Sequence, residues 1–269
     1  MNGKCGRVMV SAGLAALCYG TSAAFAQVSL GMADSFAVLG GTTVTNVNTP
    51  GTIVTGDLGV SPGSAITGFP PGIVNGAIHA ADALAGQAQV DLTTAYNTAA
   101  GLPCGVDLTG QDLGGLTLTP GVYCFSTSAQ LTGTLTLDFQ GNANAVFVFK
   151  IASTLVTPSG SSVVLLNDGP TSLCNVFWQV GSSATLGTNS TFVGNVLALT
   201  SITLNTGAGL TGRALARNGA VSMDTNAVSV TLCAISVPTL PQSFIVLLAF
   251  GLSAVGYLRL RRRAGTASR

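Results

Sequence analysis

Apolar and polar residues alternate with a period of two through much of the chain, and between Ala184 and Val230 the alternation also repeats on itself. Ala184–Ala198 aligns on Ile202–Ala216: Leu186 with Leu204, Gly194 with Gly212 and Ala198 with Ala216, each pair 18 residues apart. A shorter third copy, Val221-Ser222-Met223-Asp224-Thr225, follows after one inserted residue. A fixed period this short is too small for two packed helices and suits a β-coil of about three short strands, stacked as a solenoid. Strand side chains alternate between faces. Leu186, Leu204 and Met223 are therefore expected to stack inward. Thr185, Thr203 and Ser222 face outward beside them, with Gly187, Asn205 and Asp224 on the other side and Thr188, Thr206 and Thr225 forming a further column. With coils about 4.7–4.9 Å apart, each outward column becomes a ladder of small polar groups. Thr is also a good strand former and Gly and Asn good turn formers, so a plain solenoid surface would carry the same residues.

The period changes once. Ala81, Ala85, Ala88, Leu92, Ala95 or Tyr96, and Ala99 recur at helical spacing, predicting one helix from about Ala80 to Ala100, ended by Gly101 and Pro103. Its small-residue stripe should lie close against a β face as a buttress. Before it, Asp34–Gly40 and Thr55–Val60 read as short strand-and-turn units, and Phe69-Pro70-Pro71-Gly72 as a turn. After it, Thr117–Thr119, Thr134–Thr136, Ala145–Ile151, Thr154–Val164 and Asn175–Ala184 alternate as strands.

The ends differ from this middle. Residues 1–26 have Lys4 and Arg7, an apolar run from Val8 to Tyr19, and Ala24-Phe25-Ala26, the pattern of an export signal cleaved before Gln27. Residues 237–269 form a separate module. Val237-Pro238-Thr239-Leu240-Pro241 leads into the apolar Ser243–Leu258 and then Arg259-Leu260-Arg261-Arg262-Arg263, as in a membrane anchor or sorting signal. The domain boundaries expected are thus 1–26, 27–236 and 237–269.

Charge narrows the function. All nine acids are Asp and lie in 27–236, which holds only Lys150, Arg213 and Arg217 as cations, a net charge of 3 − 9 = −6. A nucleic-acid partner is therefore not expected. Four cysteines remain after the signal, an even number in an exported chain, and of the three pairings we expect Cys104–Cys124 and Cys174–Cys233. No Cys-x-x-Cys pair exists, so neither a zinc site nor another cofactor is expected. The single histidine, His79, falls at the predicted helix start as a capping or surface residue, and the chain has no Glu. A Ser-His-Asp triad or a paired-carboxylate hydrolase is therefore a poor fit, and no enzyme is expected. Trp178, the only Trp, sits in Val176-Phe177-Trp178-Gln179-Val180 as a core residue.

Several motifs resemble, in order, those of the bacterial and fungal ice-binding-protein-like family. They are Asp34–Gly41, Thr55–Gly63, Leu118-Thr119-Pro120-Gly121-Val122-Tyr123, Val146–Phe149, Phe192–Ala198 and Gly212–Ala216, spread over residues 30–230. The resemblance implies a mainly β chain folded as a right-handed discontinuous β-helix of triangular cross-section with one α-helix packed alongside. In it the first coils are separated in sequence from the neighbours they stack on. The tail resembles an IPTL-type sorting signal of Gram-negative bacteria, implying export to the cell surface, a membrane as partner before processing, and a sorting protease. The activity implied is adsorption to ice or ordered water, for which Thr185, Thr188, Thr203, Thr206, Ser222 and Thr225 are the candidate contacts. The alternative is an adhesive or structural envelope protein displaying the same solenoid.

Overall fold

The computed structural model describes residues 28–230 except Ala143, Pro170 and Thr171; the expected export signal and C-terminal module lie outside the described residues. Within it, all strand pairs are parallel. Each coil contributes three strands, one to each of three faces. In one coil these are Val176–Val180, Ala184–Leu186 and the first half of Thr191–Ala198.

Two of the faces belong to one bent sheet of 15 strands and the third to a separate sheet of seven. The long strands Thr191–Ala198 and Gly209–Ala216 cross from one face to the next through Gly194 and Gly212, at φ +112° and +144°. A Cβ on Gly212 would stand 2.0 Å from the Gly194 carbonyl oxygen, so the corner excludes any side chain. The 18-residue spacing of these two glycines is thus a corner requirement repeated once per coil.

The coils do not stack in chain order. The strand Phe36–Gly40 pairs with Gly209–Ala216. Thr43–Val47 pairs with Val221–Asp224, and Ile53–Thr55 with Ala227–Ser229. The first coil therefore continues the last one, and the coil from Asp57–Val60 to Ile73–Asn75 lies beyond it. The helix Ala83–Gly101 then leads back to Val106–Asp107, which starts the opposite end against Gly121–Phe125.

This helix covers one face. Ala85, Ala88, Leu92, Ala95, Tyr96 and Ala99 are buried against Leu39, Val122, Val148, Phe177, Leu197 and Leu215. Small residues let the backbone approach the sheet, as the stripe predicts. The helix starts later than expected: Asp82 is its cap, accepting a hydrogen bond from the Ala85 amide at 2.8 Å. Ala81 and His79 precede it. His79 lies in the strand Ile78–Ala80, its Nδ1 2.6 Å from Asp82 Oδ2 and its ring edge-on to Phe36. The Asp82 carboxylate thus meets the Ala85 amide through Oδ1 and the His79 ring through Oδ2.

Inside the solenoid, Leu186, Leu204 and Met223 stack as expected, each at most 1% exposed. Trp178 is fully buried, its ring stacked 3.9 Å from Phe149 and its Nε1 donating to the Val193 carbonyl at 3.0 Å. A second polar element is buried at the glycine corner. Arg213 donates from Nη1 to Asn195 Oδ1 at 2.8 Å and from Nε and Nη2 to the Asp34 carbonyl, and pairs with the Asp34 carboxylate at 2.7 Å. This network ties the lead-in to the first strand onto coils nearly 180 residues away.

Candidate functional site

The seven-stranded sheet carries the expected ladder. Its strands run Ala129–Gln130, Leu155–Val156, Ala184–Leu186, Ile202–Leu204, Val221–Asp224, Thr43–Val47 and Ala65–Thr67. The registers Thr185↔Thr203, Thr203↔Ser222, Thr45↔Ser222 and Thr45↔Thr67 align one outward column. Thr185, Thr203, Ser222, Thr45 and Thr67 are thus five consecutive β-hydroxyl rungs, and Val156 and Gln130 extend the column past Thr185. Thr45 Oγ1 donates to Ser222 Oγ across the sequence break. At strand spacing, five rungs span about 19 Å. The three central rungs sit on fixed backbone, because the residues on either side of Thr185, Thr203 and Ser222 are buried in the core.

Sequence reading missed Thr45 and Thr67. The signal, Thr43-Val44-Thr45 and Ala65-Ile66-Thr67, has the same alternation as Ala184-Thr185-Leu186, but nothing local says that these strands join the far end of the repeat.

The expected column Thr188, Thr206 and Thr225 is corrected. The spacing between coils is 19 residues at Thr203↔Ser222 but 18 at Gly209↔Ala227. The residue inserted before the third copy is therefore lost again between Asp224 and Ala227. The backbone bonds show the shift: Asn189 donates to the Thr206 carbonyl at 3.0 Å, and Gly207 donates to the Asp224 carbonyl at 3.1 Å. Thr225 therefore stacks on Gly207 and Asn189, and all three turn the corner at positive φ, +55°, +72° and +53°. Thr188 and Thr206 lie at the ladder's margin.

Asp224 stands at the same margin. Thr206 Oγ1 donates to it at 2.6 Å and Asn48 Nδ2 at 2.7 Å. These two bonds, Thr206 first, hold its carboxyl below the usual carboxylate range, so it is charged at neutral pH. A shallow hollow bounded by Val47, Asn205, Thr206 and Asp224 flanks the Thr203 and Ser222 rungs on that side.

The remaining open face is less even. Its outward column runs Thr134, Ser162, Thr191, Gly209, Ala227, Ile53 and Ile73. Beside it run Val164, Thr211, Ser229, Thr55 and Asn75 in their respective strands. Ile53, Ile73 and Val164 stand 46–52% exposed, and the column passes from hydroxyl residues to Gly209 and Ala227 and then to two isoleucines, so this face is uneven. The ladder face has a hydroxyl side chain at five successive rungs.

Cys104 and Cys124 are joined, with Cα atoms 5.9 Å apart. Cys174 is also disulfide-bonded; its expected partner, Cys233, lies outside the described residues. Among the described residues no group of three or more His, Cys or Asp side chains is placed to hold a metal. No helix among them is long and apolar enough to cross a membrane.

Comparison with known proteins adds to this geometry. Residues 38–229 match the model of a family described as Ice-binding-like. The chain is 63% identical over 212 residues to an ice-binding protein of Nostoc sp. (strain HG1), covering 78% of this chain and 77% of that one. A solved ice binding protein from an Antarctic Biological Consortium superposes with a TM-score of 0.71 at 50% identity, over 76% of this chain and 90% of the other. One from the Antarctic ascomycete Antarctomyces psychrotrophicus superposes at 0.72 with 44% identity, over 76% and 98%.

Proposed function

The chain belongs to the Ice-binding-like family, and on that premise we propose that it adsorbs to ice through the ladder face. The observation that carries the choice of face is the unbroken column Thr185, Thr203, Ser222, Thr45 and Thr67. Each rung offers a hydroxyl, and each of the four threonines a methyl as well, at the regular spacing of the coils. Water ordered over such a column has neighbours at fixed distances, and little order has to be created on contact because the sheet already holds the groups in place. Thr188 and Thr206 flank that surface, and Thr225 serves as a corner residue beside it.

The protein acts outside the cytoplasm on this reading. Residues 1–26 direct export, and residues 237–269 attach the domain to the envelope of a Gram-negative cell, by membrane insertion or after a sorting protease. The disulfide of Cys104 and Cys124 fits an oxidising compartment.

Ice-affinity partitioning of the purified protein tests the activity. The protein is expected to enrich in slowly grown ice while a co-dissolved globular control is excluded. Exclusion of both would overturn the ice reading and leave the adhesive one. The exposed Ile53, Ile73 and Val164 of the open face favour that second reading, as aliphatic contacts for a neighbouring surface.

A further inference from the structure

The ladder has neighbours on both sides, and the two sides are not equivalent. Two residues along a strand bring the next outward side chain, about 7 Å from the rung. On the N-terminal side this is the residue before each member of the registers Ala129↔Leu155, Leu155↔Ala184, Ala184↔Ile202, Ile202↔Val221 and Val44↔Val221. These residues are Ser128, Thr154, Ser183, Ser201, Ala220 and Thr43, five hydroxyls in six positions, none of them fully buried. They are tied from coil to coil. Thr154 Oγ1 donates to Ser128 Oγ at 2.8 Å, Ser183 Oγ accepts from the Ser201 amide at 3.3 Å, and Ser201 Oγ from the Ala220 amide at 3.2 Å. This side repeats the ladder's own chemistry at the same coil spacing.

The C-terminal side breaks that regularity. Two residues beyond Thr185, Thr203, Ser222 and Thr45 stand Gly187, Asn205, Asp224 and Val47. Their places in the column follow from Leu186↔Leu204, Thr203↔Ser222 and Val47↔Asp224. A missing side chain, an amide, a carboxylate and a branched aliphatic group follow one another. Gly187 has to lack a side chain, since a Cβ there would stand 2.4 Å from the Thr157 and Pro158 carbonyl oxygens. Val47 is 53% exposed. The hollow beside the Thr203 and Ser222 rungs is the result.

Asp224 is the only ionisable side chain in the seven strands of this sheet. It clasps three coils across the sequence break. Thr206 Oγ1 reaches it from the coil before, and Asn48 Nδ2 from the first coil. A charged acceptor strengthens both bonds. The same charge is a liability against ice. The lattice holds water in fixed places, whereas an ionised carboxylate orients a shell of its own. Pressing the two together strips or immobilises that shell at a cost, which the neutral hydroxyls of the opposite column do not carry.

We infer that Asp224 sets one edge of the ice-contact surface: contact spreads from the ladder toward Thr43 and Ser201 and stops short of Asp224 and Val47. The inference rests on the ladder face being the adsorbing one. It makes the surface two columns wide, with repeats of about 4.8 Å along the solenoid and about 7 Å across it. A single line of groups fixes one direction on an ice plane; two columns fix both.

Thr43 and Val47 flank Thr45 on one strand at equal distance, so the same substitution at each tests the asymmetry. Thermal hysteresis of the purified protein is recorded beside the melting temperature, with ice-affinity partitioning of the parent in parallel. Thr43→Tyr is expected to lose most of the hysteresis and Val47→Tyr to keep it, both melting like the parent. Ala65→Tyr, exposed in the same column through Thr43↔Ala65, repeats the first arm one coil on. Asp224→Asn removes the charge and keeps the shape. It is expected to raise hysteresis, and Val47→Tyr added to it to lower hysteresis again. No loss at Thr43 and Ala65, an equal or greater loss at Val47, or no gain from Asp224→Asn would overturn the inference and leave the ice reading standing. Exclusion of the parent from ice would overturn both.

Discussion

Thr203 is the central rung of the seven-position column that runs from Gln130 to Thr67. Replacing it by Lys places an ammonium on a four-carbon stem, reaching about 6 Å from the backbone, over rungs about 4.8 Å away on either side. The substitution therefore disturbs three of the five hydroxyl rungs at once. Contact with ice would also immobilise or strip the water around that charge. Even about 3 kcal/mol of such a penalty lowers adsorption roughly 100-fold. The fold should hardly change, because Thr203 points away from the core and such a replacement shifts stability by about 0.5 kcal/mol or less. For a domain of this size that is about 1–2 °C in melting temperature. The assay is thermal hysteresis with crystal shape, recorded beside the melting curve. Thr203→Lys and Thr203→Tyr are compared with the same changes at Asn142, an exposed turn residue. Hysteresis should collapse for both Thr203 variants and persist for both Asn142 variants. Undiminished hysteresis in Thr203→Lys and Thr203→Tyr, with native melting, would refute the reasoning and move the contact surface to the open face.

Other outcomes follow from the corners, the charges and the disulfide. Gly212→Ala should destabilise by more than about 1–3 kcal/mol in denaturant titration, since its φ of +144° and the Gly194 carbonyl both exclude a side chain, while Val230→Ala should cost far less. Hydrogen bonds hold Asp82, Asp107, Asp138 and Asp224 below the usual carboxylate range; their stabilisation is present above the unfolded pKa near 4 and is lost as pH falls through the lower folded values, so the melting temperature should drop only in strong acid. Asp34 runs the other way: burial raises its pKa despite Arg213, so the cost of keeping it charged in the fold is present above that raised value and is relieved as pH falls through it, and Asp34→Asn should flatten that part of the profile. Replacing Cys104 and Cys124 by Ala should cost about 3 kcal/mol, the closure entropy of a loop of 20 residues, and non-reducing peptide mapping should recover that pair from the native protein.

How much of this was legible in the sequence depends on the range of the interaction. Leu186, Leu204 and Met223 were readable as an inward stack, and Thr185, Thr203 and Ser222 as an outward one, because alternation and an 18-residue period are written in neighbouring residues. The helix was readable for the same reason, from the spacing of Ala85, Ala88, Leu92 and Ala99. Its first residue was not: the sequence reading put His79 at the helix start, and only the backbone path brings the Asp82 carboxylate to the Ala85 amide. Thr225 was misplaced because one residue gained and one lost within a coil cancel in the period but not in the register. The extent of the ladder was decided by tertiary structure alone. A parallel strand pairs with any free edge of matching geometry, whatever its distance along the chain. The edge offered by Val221–Asp224 is taken by Thr43–Val47, and on the neighbouring face Arg213 anchors Asp34 at the start of the same first coil.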